Sequence, residues 1–109
     1  MKILIAISII LLAATLGCAG TVTLQWDTYT DVADGIYCYM SAVSPVNPIP
    51  VNRIATVTPI TQTTVTVQGL ANGLKYFVCT AYAGTLESVP SNEASGVLRP
   101  NKPANVRIP

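Results

Sequence analysis

Apolar and polar residues alternate along most of the chain after residue 20. In residues 21–26, Val22, Leu24 and Trp26 fall on one face of an extended segment, and polar residues separate them. Strict alternation is typical of a β-strand that is buried on one face. Alternation and β-branched content also predict strands at residues 35–40, 53–57, 63–67, 76–82 and 93–98. We find no helical period in this part of the sequence, so the pattern predicts an all-β domain.

Turn-forming residues separate these strands. Residues 41–50 contain Pro45, Pro48 and Pro50, so this segment cannot run through the centre of a sheet. The pair Asn72-Gly73 supplies the positive φ that a tight turn needs. Short strands with a turn signal about every ten residues favour a two-sheet β-sandwich.

The first 19 residues follow a different pattern. Lys2 precedes an uncharged, mostly apolar run over residues 3–12, and small residues follow it. This order is typical of a secretory signal peptide, and the run is too short to span a bilayer, which takes about 20 residues. We therefore predict a signal helix that is removed by cleavage before Cys18 or before Gly20.

The two cleavage sites imply different fates. The sequence Leu16-Gly17-Cys18 resembles a bacterial lipoprotein box, in which the cysteine becomes the lipidated first residue, although Thr15 and Leu16 depart from the usual residues. Cleavage after Ala19 is the alternative. The first would leave a lipoprotein tethered through Cys18, and the second would leave a secreted or periplasmic protein.

Four segments, in order, resemble the fibronectin type III family. Residues 22–26 are similar to strand B with its core tryptophan, and residues 34–39 to the entry into strand C. Residues 67–76 resemble the stretch that leads into strand F, with Asn72 in place of the usual proline, and residues 91–93 resemble the entry to strand G. The resemblance implies an immunoglobulin-like β-sandwich. It divides the chain into a signal peptide (1–19), a fibronectin type III domain (20–99) and a C-terminal tail (100–109).

The resemblance also implies which residues form the core and which strand is incomplete. Leu70 and Tyr76 have the spacing of a tyrosine corner. Only residues 18–21 are available before strand B once the leader is set aside, so we expect strand A to be short or missing and the edge at residues 21–26 to be unpaired. The expected core is Val22, Leu24, Trp26, Ile36, Leu70, Tyr76 and Val78.

Composition excludes several functions. After removal of the predicted leader, five basic and five acidic residues remain, so the domain has no charge footprint for nucleic acid or anionic lipid. The chain contains no histidine, which excludes Ser-His-Asp and Cys-His catalysis and histidine-ligated metals. Asp27, Asp31 and Asp34 share one loop, but their spacing is not that of a calcium-binding EF-hand. We therefore predict a non-enzymatic protein without a metal site or cofactor.

The two remaining cysteines fall on strands that are neighbours in this fold. Export would permit a disulfide between Cys38 and Cys79. Strand alternation opposes it: if Tyr76 and Val78 face inward, Cys79 faces outward, unless a one-residue bulge reverses the strand. The sequence therefore does not decide whether Cys38 and Cys79 form a disulfide.

The same alternation places Tyr37, Tyr39 and Phe77 together on the outer face of one sheet. Aromatic residues are enriched where partners bind, so these three form a candidate contact patch. The alternative is that they only cover one another across neighbouring strands.

Two functions follow from these predictions. The first is an exported, non-catalytic binding or adhesion module, on the cell surface or secreted, that contacts a protein or carbohydrate through its loops or its aromatic face. Its only membrane contact would be the signal peptide or a lipid anchor. The second is a self-assembling structural subunit, in which residues 101–109, with the alternating pair Val106 and Ile108, act as a donor strand for another copy.

Overall fold

The structure, a computed structural model, describes residues 13–16 and 20–109. The predicted strands are confirmed, with ends that differ by at most a few residues, and two further short strands, β1 and β7, were not predicted. Most of the predicted signal helix lies outside the described residues. The strands of the described part are β1 (Ala13–Leu16), β2 (Val22–Gln25), β3 (Gly35–Ser41), β4 (Arg53–Val57), β5 (Thr64–Val67), β6 (Gly73–Ala83), β7 (Leu86–Glu87) and β8 (Ala94–Leu98), with a 3-10 turn at Pro50–Asn52.

Two antiparallel sheets form a sandwich. The first has the strand order β1-β2-β5. The second has the order β4-β3-β6, and β8 and β7 pair with successive stretches of the same edge of β6. Gly73 has a φ of 122°, as the turn into β6 predicts. The predicted all-β sandwich is therefore confirmed.

The main core lies between the two sheets. Val22, Leu24 and Trp26 enter it from the first sheet, where the alternation placed them, and Ile36 enters it from β3. Leu70 is partly buried against the same core. The remaining buried members on the second sheet and its edges include Cys38, Val57, Phe77, Cys79, Ala81 and Leu98.

The predicted facing of β6 is wrong. Phe77 and Cys79 lie in the core between the sheets, whereas Tyr76 and Val78 pack on the outer face of the second sheet. Both faces of this stretch of β6 are apolar because a second, smaller cluster covers the outer face. That cluster consists of Tyr39, Val46 and Val78, with Tyr37 and Tyr76 packed against it.

The proline-rich connection between β3 and β4 is what covers this outer cluster. Val46 in that connection is buried against the sheet. Glu93 holds the connection in place: the Ser44 hydroxyl donates to its Oε1 at 2.5 Å, and the backbone N–H of Val46 donates to its Oε2 at 3.0 Å. One carboxylate therefore ties an irregular crossing segment to the entry of β8.

The edge that we expected to be unpaired is occupied. β1 pairs antiparallel with β2, from Ala13 opposite Gln25 to Leu16 opposite Val22. Strand A is therefore present and short, and the expectation that only residues 18–21 could precede strand B was wrong. An open edge is normally covered, and here residues inside the predicted signal peptide cover it.

Between β7 and β8 the sheet edge changes its hydrogen bonding. The backbone N–H groups of Ser88 and Ser91 each donate to a carbonyl of β6 at 2.8 Å. In return, the Ser88 hydroxyl accepts from the N–H of Ala81 at 2.9 Å, and the Ser91 hydroxyl accepts from that of Cys79 at 3.0 Å. Serine side chains thus replace backbone acceptors, and Pro90 fits between them although it has no N–H.

Candidate interaction site

Three side chains stack across the outer face of the second sheet. The rings of Tyr37 on β3 and Tyr82 on β6 are parallel within 9°, with centroids 3.9 Å apart. The Arg53 guanidinium on β4 lies 3.6 Å from the Tyr37 centroid. All three side chains are half-buried. We call them the Arg–Tyr stack.

Local sequence and register explain this stack. Tyr37 lies directly opposite Thr80, while Tyr82 lies opposite Gly35. Because Gly35 has no side chain, the Tyr82 ring can lean across it towards Tyr37; a Cβ at residue 35 would lie 3.0 Å from that ring. Diagonal neighbours of this kind are within reach of aromatic side chains.

A buried hydrogen-bonded group lies beside the stack. The Tyr39 hydroxyl and the Thr80 hydroxyl both donate to Oε2 of Glu87, the latter at 2.6 Å. Burial raises the pKa of Tyr39, and its hydrogen bond to Glu87 raises it further. Interaction with Tyr39 in turn raises the pKa of Arg53. Tyr39 therefore stays protonated and donates to the Glu87 carboxylate, while the Arg53 guanidinium lies 5.7 Å from the centroid of its ring.

The contact patch predicted at Tyr37, Tyr39 and Phe77 is wrong as a set. Tyr39 is fully buried beneath the β3–β4 connection, and Phe77 is fully buried between the sheets. Only Tyr37 reaches the surface. Sequence reasoning missed Tyr82 and Arg53, and the correct facing of β6 would have revealed Tyr82 as a diagonal neighbour of Tyr37.

The two cysteines lie directly opposite each other. Cys38 pairs with Cys79 in the β3–β6 ladder, and both are fully buried on the core face. The alternation argument against their contact was therefore wrong, and no bulge is needed. Burial raises the pKa of the Cys79 thiol far above its usual range, and the neighbouring Cys38 raises it further. The structure has both as free thiols; Cys18 lies outside the described residues.

Two aspartates of the first loop accept hydrogen bonds from backbone N–H groups. Asp34 accepts from the N–H of Gly84 at 2.8 Å, which links this loop to the β6–β7 turn. Asp31 accepts from the N–H of Val32 at 2.8 Å. Within residues 20–109 the structure brings together no group of three acidic or cysteine side chains that would suit a metal ion. Nor does this part of the chain include a helix of the length and apolar character that a bilayer crossing requires.

Comparison with known proteins supports the fold. No family model matches the sequence, and no curated protein matches it. Among solved structures, the chain is similar to an Fn3-like protein from Clostridium thermocellum, with 29% identity and a TM-score of 0.63 over 92% of this chain and 97% of that one.

Two more distant structures have the same fold. A fibronectin type III domain of the human KIAA0970 protein is 16% identical, with a TM-score of 0.63 over 93% of this chain and 82% of that one. The protein FN3tt is 20% identical, with a TM-score of 0.59 over 79% and 86% of the two chains. A fold of this kind is compatible with a binding or structural module. From its two sheets, its strand order and these neighbours, we conclude that the chain has a fibronectin type III fold.

Proposed function

We propose that the protein is an exported, non-catalytic module that binds a protein partner through the Arg–Tyr stack. The observation that carries this proposal is the packing of Tyr37, Tyr82 and Arg53 into one half-buried row on the outer face of the second sheet. Tyrosine and arginine are the residue types most enriched in the energetic centres of protein interfaces.

The stack is held in place before any partner arrives. Tyr37 lies between two stacked neighbours, and the Arg53 guanidinium also lies 5.7 Å from the centroid of the Tyr39 ring. Side chains that are already ordered lose little conformational entropy on binding, so more of their contact energy contributes to affinity.

The geometry favours a protein over a carbohydrate. Arg53 and Tyr82 reach Tyr37 from the strands on either side of β3, at 3.6 Å and 3.9 Å, so both faces of the Tyr37 ring are occupied. A sugar ring needs an open aromatic face on which to stack. The edges of the rings and the guanidinium remain for polar and apolar contacts of the kind that peptides make.

Export is tested by the intact mass of the protein recovered from a bacterial host. Acyl chains on Cys18 would identify a lipoprotein, and a chain that begins at Gly20 would identify a secreted or periplasmic protein. The variant Cys18→Ser should release a lipoprotein from the membrane fraction. A mass that begins at Met1 would refute export in either form.

Binding is tested by selecting ligands from a displayed peptide library against the exported protein and, in parallel, by screening a glycan array. We expect the selected peptides to bind at least tenfold more weakly to Tyr82→Ala and to Arg53→Ala. The matched control is Val97→Ala on β8, a surface position that is 38% exposed, and it should leave binding unchanged. Circular dichroism establishes that each variant is folded. The proposal would be contradicted if the peptides bound both variants as tightly as the wild type. It would also be contradicted if the protein bound a sugar on the array and no peptide.

A further inference from the structure

The edge strand β1 lies within the predicted signal peptide. Residues 13–16 pair with β2 along its whole length, yet both candidate cleavage sites follow residue 16. Cleavage at either site separates β1 from the domain. The backbone N–H and C=O groups on that side of residues 22–25 then lose their partners, and exposed edges of this kind readily accept another strand.

We propose that in the exported protein the β2 edge is filled by residues 104–108 of a second copy, so that copies join head to tail. This inference rests on the proposed export. The tail matches the vacated edge in spacing, in direction and in length.

Spacing is the first argument. Leu24 and Val22 point into the core. The β1 positions that pair with them are two residues apart. Val106 and Ile108 are also two residues apart, and they are 81% and 94% exposed. Among the large hydrophobic residues of the described chain, Ile108 is the most exposed. Placed at those two positions, this pair would be buried.

The residue between them fits the opposite face. In this register Arg107 lies opposite Thr23, whose hydroxyl is hydrogen-bonded to that of Thr66 at 2.9 Å on the solvent side of the first sheet. A charged side chain is suited to that face. Main-chain hydrogen bonds and two apolar side chains are the usual basis of strand addition.

Direction is the second argument. The carbonyl of Gly20 accepts from the N–H of Leu70, so β2 begins at the end of the sandwich where β6 also begins. Leu98 pairs with Gly73, so β8 delivers the tail to this same end. β1, antiparallel to β2, enters from the opposite end. The tail of one copy can therefore follow the path of β1 only on another copy, since on its own domain it would run parallel to β2.

Length is the third argument. Residues 99–103 can span roughly 17 Å when extended, enough to pass from one domain to the end of the next. Pro103 and Pro109 lack backbone N–H groups and bracket a segment of five residues that all have one. Asn105 has a φ of 55° and bends the tail. Donation requires Asn105 to become extended, which moves its φ from a sparsely populated region to one that non-glycine residues favour.

A head-to-tail contact of this kind joins two different surfaces. Such heterologous contacts link copies into rings or open chains of subunits rather than into two-fold dimers. Each copy would use its own edge as acceptor and its own tail as donor.

The test is sedimentation of the exported protein over a wide concentration range, with its intact mass measured on the same sample. We expect cleaved protein that forms oligomers as concentration rises. The double variant Val106→Ser/Ile108→Ser should sediment as a monomer, with association at least tenfold weaker. The control Val43→Ser/Val51→Ser alters two exposed valines elsewhere, 68% and 82% exposed, and should associate like wild type.

The outcomes separate the two proposals. A mass that begins at Met1 refutes export and, with it, the vacated edge. Cleaved protein that remains monomeric refutes the inference alone. A monomer whose melting temperature falls in the tail variant would mean that a chain's own tail fills the edge, which also refutes it. A synthetic peptide of residues 101–109 should dissociate wild-type oligomers and raise the melting temperature of the tail variant.

Discussion

Exposure to an oxidising compartment should join Cys38 and Cys79 in a disulfide. Residues directly opposite in an antiparallel ladder have Cα atoms about 4.5–5.5 Å apart, within the range that a disulfide spans. The bond would enclose a loop of about 40 residues, for which the chain-entropy relation gives about 4 kcal/mol of stabilisation. For a domain of this size that corresponds to roughly 15–30 °C in melting temperature.

The structure also indicates when the bond forms. Both thiols are fully buried, and burial raises the pKa of Cys79, so the reactive thiolate is scarce once the domain has folded. Oxidation should therefore precede closure of β3 on β6. The two thiols each lose a proton, and their two electrons reduce the disulfide of an oxidant protein to a dithiol.

The assay combines thiol counting with thermal unfolding. Protein recovered after export should be two hydrogen masses lighter than its reduced form and should resist alkylation when denatured. Reductant, added under unfolding conditions, should lower its melting temperature by the amount given above. The Cys38→Ala/Cys79→Ala variant should not respond to reductant. Two alkylatable thiols in the exported protein, or a melting temperature that reductant leaves unchanged, would refute the reasoning.

Three further predictions concern stability. Trp26→Ala removes a large side chain from the core and should cost about 3–5 kcal/mol in denaturant titration, so a variant that unfolds at the wild-type midpoint would contradict the core assignment. In Gly35→Ala the new Cβ would lie 2.5 Å from the Val57 carbonyl oxygen, so we expect about 1–3 kcal/mol of destabilisation in the same titration, and an unchanged midpoint would show that the strands can separate. Burial raises the pKa of Tyr39 and Tyr29, so the folded state keeps protons that the unfolded state loses as the pH rises above about 10. The urea midpoint should fall in that range, and it should fall less steeply in Tyr39→Phe; an equal slope would exclude Tyr39 as a source.

The facing of a strand could be predicted from the sequence where only one of its faces is apolar, and could not where both faces are apolar. In β2 one face is polar, so alternation alone placed Val22, Leu24 and Trp26 in the core. In β6 both faces are apolar between Tyr76 and Cys79, so the pattern was compatible with either orientation. This error misplaced Phe77 in the contact patch and turned Cys79 away from Cys38. Tyr39 does face outward as predicted, but the β3–β4 connection buries it.

The remaining differences come from contacts between segments far apart in sequence. Nothing near Arg53 indicates that it stacks on Tyr37, because the contact depends on the register between β3 and β4. In the same way, residues 13–16 have the composition of a leader, and only the presence of an open edge on β2 makes them a strand.

The use of serine hydroxyls in place of backbone acceptors between β7 and β8 affects how the domain can contact other molecules. A strand can add to a sheet only where consecutive backbone donors and acceptors face outwards. At residues 88–91 the two serine hydroxyls donate to the carbonyls of Val89 and Asn92, at 2.9 Å and 2.8 Å, and Pro90 has no N–H to offer. Non-specific pairing of copies along this sheet edge is therefore disfavoured. A domain that blocks strand addition at this edge and permits it along β2 has a single acceptor edge of the two. Copies that assemble would therefore all add in the same orientation.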